Sequence, residues 1–333
     1  MTPEIINLKK KTESIHPIEI IIPKNEQDWL ELRTHDITST EISALFGISP
    51  YMTEFELWHR KQNNISVEFE MNERVSWGMR LQDAIAAGIA EEQKWTVRRM
   101  EEYIRIPDLR IGASFDFSID GGLAEGATER FVYSPEGSGL LEVKNVDSLI
   151  YKNNWIIDGD NMEAPPHIEL QVQQQLLVSG RAFCYLGALV GGNRVILIKR
   201  EPDAEIFAAI KSKVAAFWAS IDANIPPKPD FSKDAETISR LHGFSEPGKV
   251  YNAEGDTEIL TLAKRWKELG GAMKACEEER DGIKSQLLIK VGDAERVTGD
   301  GFSISAGMIG PADVAYHREG YRSFKVNWKK DNK

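Results

Sequence analysis

The chain has 333 residues, of which 41% are hydrophobic and 28% charged, a composition typical of a globular protein with a sizeable core. Its net charge of -11 argues against a generally basic nucleic-acid-binding surface, although a basic groove can coexist with an acidic exterior. No apolar run approaches the roughly 20 residues that span a bilayer, which argues against a membrane protein.

The N-terminal segment "MTPEIINLKKKTES" has no apolar stretch that ends in small residues, so we expect no signal peptide. The two cysteines, Cys184 and Cys276, lie far apart and outside any Cys-x-x-Cys or Cys/His cluster. This spacing argues against a disulfide framework and against a structural zinc site. We therefore expect a soluble protein in the reducing cytoplasm.

Four helices are predicted in the first part of the chain, beginning near Asn25, at Thr38 or Ser39, at Thr53 and near Glu73. In the second of these, Glu41 falls in the first turn and Gly47 ends the helix. The fourth has apolar residues at helical spacing up to about residue 94.

The middle of the chain predicts strands around one helix. The segments "TVRRMEEYIRIP" and "LRIGASFDFSID" predict two adjacent strands, and a Gly-rich loop over residues 121–139 leads to the strand "GLLEVKNV". The segment "APPHIELQVQQQLLVSG" predicts a helix with Ile168, Val172 and Leu176 on its apolar face. A hairpin that turns at residues 191–193 and a helix over about residues 202–224 follow.

The composition changes after "IPPKPD", and we place a domain boundary near residue 240. This gives a domain of residues 1–240 and an extension of residues 241–333. The extension predicts a long charged helix over residues 257–291, with Gly270 and Gly271 as a point of interruption. Two strand-like pieces, "GFSISAG" and "YRSFKVNW", follow the helix, and the sequence does not decide the role of this region.

Glu142 and Lys144 lie two apart on an otherwise apolar strand, so their side chains share one face. Asp116 lies at the end of the preceding strand "IGASFDF". Two carboxylates and the main-chain carbonyl of Val143 are oxygen ligands of the kind that a hard divalent cation prefers. With Lys144 beside them, this pattern fits metal-assisted hydrolysis of a phosphodiester. The alternative is an exposed ladder of charges and an aspartate in a turn.

Four blocks in order resemble the lambda exonuclease and YqaJ-type viral recombinase family of the PD-(D/E)XK nuclease superfamily. They are "WLELRTHDITSTEISALFG", "WGMRLQDAIA", "GASFDF…LLEVKN" and "ELQVQQQLLVSG". The resemblance covers about residues 25–225. It implies an α/β fold with a restriction-endonuclease-like core, in which helices flank a central mixed sheet and a helical and β extension follows.

The resemblance also implies roles for single residues. Asp116 and Glu142 would bind the metal with the carbonyl of Val143, Lys144 would act on the attacking water, and Gln171 would lie beside them. Arg33, Thr40 and Ser114 fall where the family binds the 5′-terminal phosphate of DNA, a role that suits the forked guanidinium of Arg33. Otherwise Gln171 is a solvent-facing helix residue, Arg33 a surface arginine and Thr40 a helix cap.

The sequence departs from the family at two positions. Gln82 stands where the family has a Glu, and an amide is a poorer cation ligand, so the number of metal ions stays open. Asp83 is the next residue, but one helical step turns it about 100° away. Lys152 stands near the place where the family can have an Arg for the terminal phosphate, and Lys lacks the guanidinium fork.

The implied activity is a Mg²⁺-dependent exonuclease that degrades one strand of linear duplex DNA from the 5′ end, with Mn²⁺ as a substitute metal. It would leave a 3′ overhang for a single-strand annealing protein in phage-type recombination. The resemblance also implies a ring of three subunits that threads duplex DNA, and an acidic outside with a cationic lining suits such a ring. Candidates for that lining are Arg33, Lys61, Arg98, Arg99 and Lys152.

Two alternatives remain. The first is a structure- or sequence-specific endonuclease of the same fold, which the altered Gln82 permits. The second is a DNA-end-binding protein without catalysis, against which the intact Asp116, Glu142 and Lys144 argue.

Overall fold

The computed structural model describes residues 16–63, 72–120, 138–158, 161–313, 315, 317–318 and 320–328. The predicted Gly-rich loop therefore lies almost entirely outside the described residues. The chain divides into two compact units, Met1–Thr237 and Ile238–Lys333. Among the described residues, no helix combines the length and the hydropathy that crossing a bilayer requires.

The first unit is a mixed α/β structure. Its strands are β1 (Glu19–Ile21), β2 (Ile37–Thr38), β3 (Thr96–Arg99), β4 (Tyr103–Ile106), β5 (Ile111–Ala113), β6 (Phe117–Asp120), β7 (Gly139–Val146), β8 (Ile156–Asp158), β9 (Asn161–Glu163), β10 (Phe183–Val190) and β11 (Arg194–Arg200). Its helices are α1 (Glu26–His35), α2 (Ile42–Leu45), α3 (Glu54–Gln62), α4 (Glu73–Gln93), α5 (Ser148–Asn154), α6 (Pro166–Ser179) and α7 (Ala204–Asp222). The next helix, α8 (Ala235–Leu241), contains the point of division.

The central sheet has the strand order β11-β10-β7-β6-β3, in which β10 and β7 are parallel and the other pairs antiparallel. A second sheet has the order β1-β4-β5-β2. The prediction of two long adjacent strands before β7 is therefore wrong in detail. Each segment breaks in two, so that β3 pairs with β6 in one sheet while β4 pairs with β5 in the other.

Helices cover both faces of β7. Leu141 and Val143 pack with Ile85 and Ile89 of α4 in one apolar cluster. Leu140, on the alternate face, packs in the cluster that includes residues of α6. A strand that is buried on both faces reads as a nearly continuous apolar run, which is how the sequence of β7 reads.

The start of α2 differs from the prediction. Thr38 belongs to β2 instead of capping the helix, and Glu41 is the N-cap residue, without a side-chain capping bond. The Glu41 carboxylate instead accepts hydrogen bonds from the main-chain N–H and the hydroxyl of Thr38, each at 2.9 Å. The predicted helix starts near Asn25 and at Thr53 are confirmed, and each of these residues is an N-cap whose side chain accepts a main-chain N–H from the first turn.

The second unit contains the long helix α9 (Thr257–Val291) and a hairpin of β12 (Arg296–Gly299) and β13 (Phe302–Ser305). The helix continues through Gly270 and Gly271 without a break. The strand predicted from "YRSFKVNW" is wrong, because residues 321–328 form no strand. Phe324 of that segment instead packs edge-on against Trp266 of α9, with the ring centroids 5.4 Å apart.

Candidate active site

The carboxylate of Glu142 lies inside the molecule, on the face of β7 that α6 covers. The residue is 3% exposed. Gln171 donates its Nε2 to Oε1 at 2.6 Å, and Gln175 donates its Nε2 to Oε2 at 2.8 Å. Lys144 donates its ammonium group to Oε1 as well. The alternative of an exposed charge ladder is therefore wrong, because both oxygens of a buried carboxylate have hydrogen-bond donors.

Asp116 lies beside β7. It does not lie at the end of a strand, so that part of the prediction is wrong. It falls in the connection between β5 and β6, where the long strand expected from the sequence is interrupted. Its Oδ2 accepts the main-chain N–H of Val143 at 2.8 Å, and its own carbonyl accepts the N–H of Met100 at 3.0 Å. These two bonds fix Asp116 next to Glu142.

The two acids interact strongly. Burial, and then the charge of Glu142, raise the pKa of Asp116 from 3.8 to about 7, against the opposing effect of Lys144. Burial lowers the pKa of Lys144, but Glu142 and Asp116 outweigh this effect and raise it above its ordinary value. The structure therefore combines the buried carboxylate of Glu142 and the half-buried carboxylate of Asp116 with one ammonium group, which leaves an excess of negative charge when both acids are ionised.

This set of donors fits a hard divalent cation. Two carboxylates with an excess of negative charge are what such an ion neutralises, and Mg²⁺ is usually held by one or two carboxylates with water and substrate oxygens. No group of three or more His, Cys, Asp or Glu side chains that could hold a metal ion occurs within the described part of the chain. The residues that would hold Mg²⁺ are thus Asp116 and Glu142, and the carbonyl ligand from Val143 stays a prediction.

Gln82 and Asp83 both bond to Arg99 of β3. Gln82 accepts from the guanidinium at 3.3 Å, and Asp83 accepts from it at 2.9 and 2.7 Å. The charge of Arg99 in turn opposes the rise in the pKa of Asp116. Gln82 and Asp83 therefore share one partner although they are one helical step apart, because the guanidinium of Arg99 reaches both side chains.

Arg33, Thr40 and Ser114 come together around Trp29. The guanidinium of Arg33 lies over the Trp29 ring, 4.5 Å from its centroid, and donates to the Thr40 hydroxyl at 3.2 Å. Trp29 donates its indole N–H to the Ser114 hydroxyl at 2.8 Å. We call these four residues the Arg33 group.

Gln175 connects this group to Glu142. Its Nε2 donates both to Glu142 and, at 3.1 Å, to the carbonyl of Ser114. The sequence analysis did not single out Gln175, although a signal was present. Gln175 lies four residues after Gln171, so both project from the same face of α6.

Two further cationic residues of the prediction are Lys152 and Lys61. Lys152 is exposed on α5, and no hydrogen bond or ion pair between described residues joins it to the Arg33 group. Lys61 was expected to line a DNA channel, but that prediction is wrong because it is 6% exposed. It forms an ion pair with Glu41 at 2.8 Å, since a buried ammonium group requires acceptors within the protein.

Comparisons with known proteins agree with these motifs. Residues 28–182 match the family model described as the YqaJ-like viral recombinase domain. The uncharacterized protein YqaJ of Bacillus subtilis (strain 168) is 24% identical over 273 residues, which cover 78% of this chain and 79% of that protein.

Solved structures of an alkaline exonuclease from Laribacter hongkongensis, LHK-Exo, also match. One has 18% identity and a TM-score of 0.43, and covers 65% of this chain and 99% of the other. The same protein in complex with dAMP has 19% identity and a TM-score of 0.43, with 65% and 97% covered.

The segment that matches the family model contains the two acids, Lys144, Gln171 and the Arg33 group. The resemblance to the YqaJ-type family that the sequence motifs indicate is therefore confirmed, and residues 28–182 of this chain are similar to the YqaJ-like viral recombinase domain.

Proposed function

We propose that the first unit is a Mg²⁺-dependent exonuclease that degrades one strand of linear duplex DNA from its 5′ end and leaves a 3′ overhang. One observation carries the proposal. Gln175 bonds both to Glu142 and to Ser114, so a cluster suited to phosphodiester hydrolysis adjoins a cluster suited to a terminal phosphate. An enzyme that holds a 5′-phosphate beside its hydrolytic groups acts on chain ends.

Each residue has a chemical task in this proposal. Asp116 and Glu142 hold the metal, and Mn²⁺ is expected to substitute for Mg²⁺. When bound, the metal supplies Lewis-acid catalysis of phosphodiester hydrolysis. Lys144 orients the attacking water and presents a positive charge to the scissile phosphate, while Gln171 holds the Glu142 carboxylate in place.

The Arg33 group would receive the 5′-phosphate. A guanidinium offers planar, forked hydrogen bonds to phosphate oxygens, and the Thr40 and Ser114 hydroxyls supply additional donors. Stacking on Trp29 limits the rotamers of Arg33, so less conformational entropy is lost when the phosphate binds.

We propose four further properties. The partners are DNA ends and a single-strand annealing protein, and the chain assembles into a ring of three subunits. The nuclease domain is residues 1–240, followed by an extension of residues 241–333. The protein acts in phage-type recombination in the cytoplasm of a bacterial cell.

The test is digestion of 5′-labelled linear duplex DNA and of closed circular DNA, each with Mg²⁺ and with EDTA. The protein is expected to degrade only the linear DNA, only with the metal, and faster with a 5′-phosphate than with a 5′-hydroxyl. Asp116→Asn should lose this activity. Specific cleavage of the circular DNA would favour the endonuclease alternative, and end binding that Asp116→Asn leaves unchanged, without cleavage, would favour the non-catalytic one.

A further inference from the structure

A buried ion pair adjoins the Arg33 group. Glu41 and Lys61 are 5% and 6% exposed, and their charged atoms lie 2.8 Å apart. Burial of two charges is costly, and their attraction offsets the cost only when the remaining donors and acceptors are bonded as well. The other bonds of the pair therefore indicate what it holds in place.

Lys61 binds the C-terminal end of α1. An ammonium group has three donors, and the structure provides three acceptors. These are the carboxylate of Glu41, the carbonyl of Arg33 at 2.7 Å and the carbonyl of Asp36 at 2.8 Å. Lys61 thereby fixes the backbone at Arg33 and the segment that follows it.

Glu41 binds the other side of the same segment. Its Oε2 accepts the N–H and the hydroxyl of Thr38. The Thr38 hydroxyl lies 3.3 Å from the Thr40 hydroxyl, and the guanidinium of Arg33 lies 3.5 and 3.2 Å from these two oxygens. The pair thus holds the backbone of Arg33 and the hydroxyls that its guanidinium contacts.

The electrostatics support a charged pair. Burial alone would raise the pKa of Glu41, but Lys61 and Arg33 hold it below its ordinary value. Burial lowers the pKa of Lys61, and Glu41 opposes this effect. Asp36 carries a second buried carboxylate in the same segment, which Arg105 neutralises at 2.9 and 2.7 Å.

We propose that Glu41 and Lys61 are positioning residues for a 5′-terminal phosphate of DNA, because together they fix the main chain of Arg33 and the Thr38 and Thr40 hydroxyls. The inference rests on the proposed function, since that function assigns the phosphate to the Arg33 group. It adds that a buried pair without contact to the phosphate sets the preference for phosphorylated ends.

The experiment measures binding instead of hydrolysis. Fluorescence anisotropy in EDTA gives the Kd of the full chain for a one-ended hairpin duplex with a 5′-phosphate and for the same duplex with a 5′-hydroxyl. The variants are Lys61→Met, Glu41→Gln and the double variant Glu41→Leu/Lys61→Met. Arg60→Met is the matched control, because Arg60 is the neighbouring cation on α3 and pairs with Glu56. Tm is recorded for each variant.

Lys61→Met should lower the Tm, because it leaves the Glu41 carboxylate buried without its cation. It should also lower the preference for the phosphate, measured as the Kd for the 5′-hydroxyl duplex divided by the Kd for the 5′-phosphate duplex. The double variant should regain most of the Tm, since apolar residues can replace a buried pair, yet its preference for the phosphate should fall at least about tenfold. If the Glu41–Lys61 pair only stabilised the fold, the double variant would regain both the Tm and the preference for the phosphate. Arg60→Met should keep the wild-type preference.

A folded double variant with the wild-type preference would overturn the inference. If the double variant does not fold, Glu41→Gln decides. This variant keeps the shape of the side chain but weakens the bond to Lys61, so an unchanged preference again overturns the inference.

The two proposals fail in different ways. If the wild-type chain prefers 5′-phosphorylated ends but does not hydrolyse linear DNA with Mg²⁺, the proposed function fails while the variants still decide the inference. If the wild-type chain shows no preference for the phosphate, the inference fails even where hydrolysis occurs.

Discussion

At the scale of single residues, the site depends on how a buried carboxylate pair is neutralised. Glu142 has three donors around its two oxygens, whereas Asp116 has only the main-chain N–H of Val143 among the hydrogen bonds to its carboxylate that involve described residues. Burial and the neighbouring acid consequently raise the pKa of Asp116. Protonation of Asp116 and binding of a metal ion are two ways to reduce the same excess of negative charge.

The raised pKa of Asp116 predicts how stability changes with pH. The folded value is about 7 and the ordinary value is 3.8, so between these values the folded protein binds more protons than the unfolded chain. Stability without metal should therefore fall as pH rises through this window. Asp116→Asn removes this ionisation but keeps an acceptor for Val143. Its Tm in EDTA should match wild type at pH 4 and exceed it at pH 8.

The same measurement tests metal binding. Mg²⁺ should raise the Tm of the wild-type protein at pH 8, because a ligand that binds only the folded state stabilises it. The increase should be much smaller in Asp116→Asn. Identical pH profiles for the two proteins in EDTA would contradict the assignment of the raised pKa to Asp116.

A second prediction concerns Gln175. Gln175→Ala removes one charge-assisted hydrogen bond from Glu142 and one bond from Ser114, so kcat/KM for phosphorylated linear duplex should fall about 10- to 100-fold. Gln173→Ala is the control, since Gln173 is also buried on α6 but bonds to the main chain of Glu201 and Asp203. An equal loss in both variants would point to a disturbed helix instead of a disturbed site.

At the scale of helices and strands, most of the correct predictions come from the local spacing of apolar residues. The spacing of Ile168, Val172 and Leu176 predicted the buried face of α6, and all three are buried. Patterns failed where long-range pairing decides. Nothing local in "IGASFDF" shows that the segment changes from one sheet to the other, and so the strand break that positions Asp116 was not predicted.

The same limit explains two of the site residues. The positions of Gln171 and Glu142 followed from the family resemblance, while the bond between them required the packing of α6 on β7. The prediction for Lys61 was wrong because a lysine on a polar helix usually faces solvent. Its burial depends on three acceptors that come from separate segments.

Two glycines allow a matched test of packing. A Cβ on Gly112 of β5 would lie 2.0 Å from the hydroxyl oxygen of Tyr103, a fully buried residue whose hydroxyl bonds to Asp36. Gly112→Ala should therefore destabilise the fold by about 1–3 kcal/mol. A Cβ on Gly88 of α4 meets nothing within 4 Å, so Gly88→Ala should stabilise it by about 0.5–1 kcal/mol. Urea unfolding of both variants measures the two shifts, and an equal effect would contradict the packing at Gly112.

At the scale of the whole molecule, a net charge of -11 opposes the approach of DNA. In the proposed function, binding to DNA must therefore depend on local cations such as Arg33, whose guanidinium is held by Trp29 and Thr40. A net negative charge also reduces non-specific binding of DNA to the protein. It thereby favours local sites such as the Arg33 group, where a positive charge and hydroxyl groups meet.

This charge distribution predicts the effect of salt. The affinity for duplex ends should fall as KCl rises from 50 to 200 mM, because bound phosphates release counterions. Removal of one phosphate contact in Arg33→Ala should reduce the slope of log K against log salt by about 1. Arg60→Met should keep the wild-type slope. A slope that Arg33→Ala leaves unchanged would place the phosphate contact at another residue.

The two hydrogen bonds that Gln175 donates also bear on the size of the released product. One amide nitrogen donates to both the carboxylate of Glu142 and the carbonyl of Ser114, so the proposed sites of end recognition and bond cleavage share a hydrogen-bonding residue. This direct connection suits a single nucleotide between the proposed phosphate contact and the bond that breaks. We therefore expect mononucleotides as products, with the step length set by the packing of one helix against one strand.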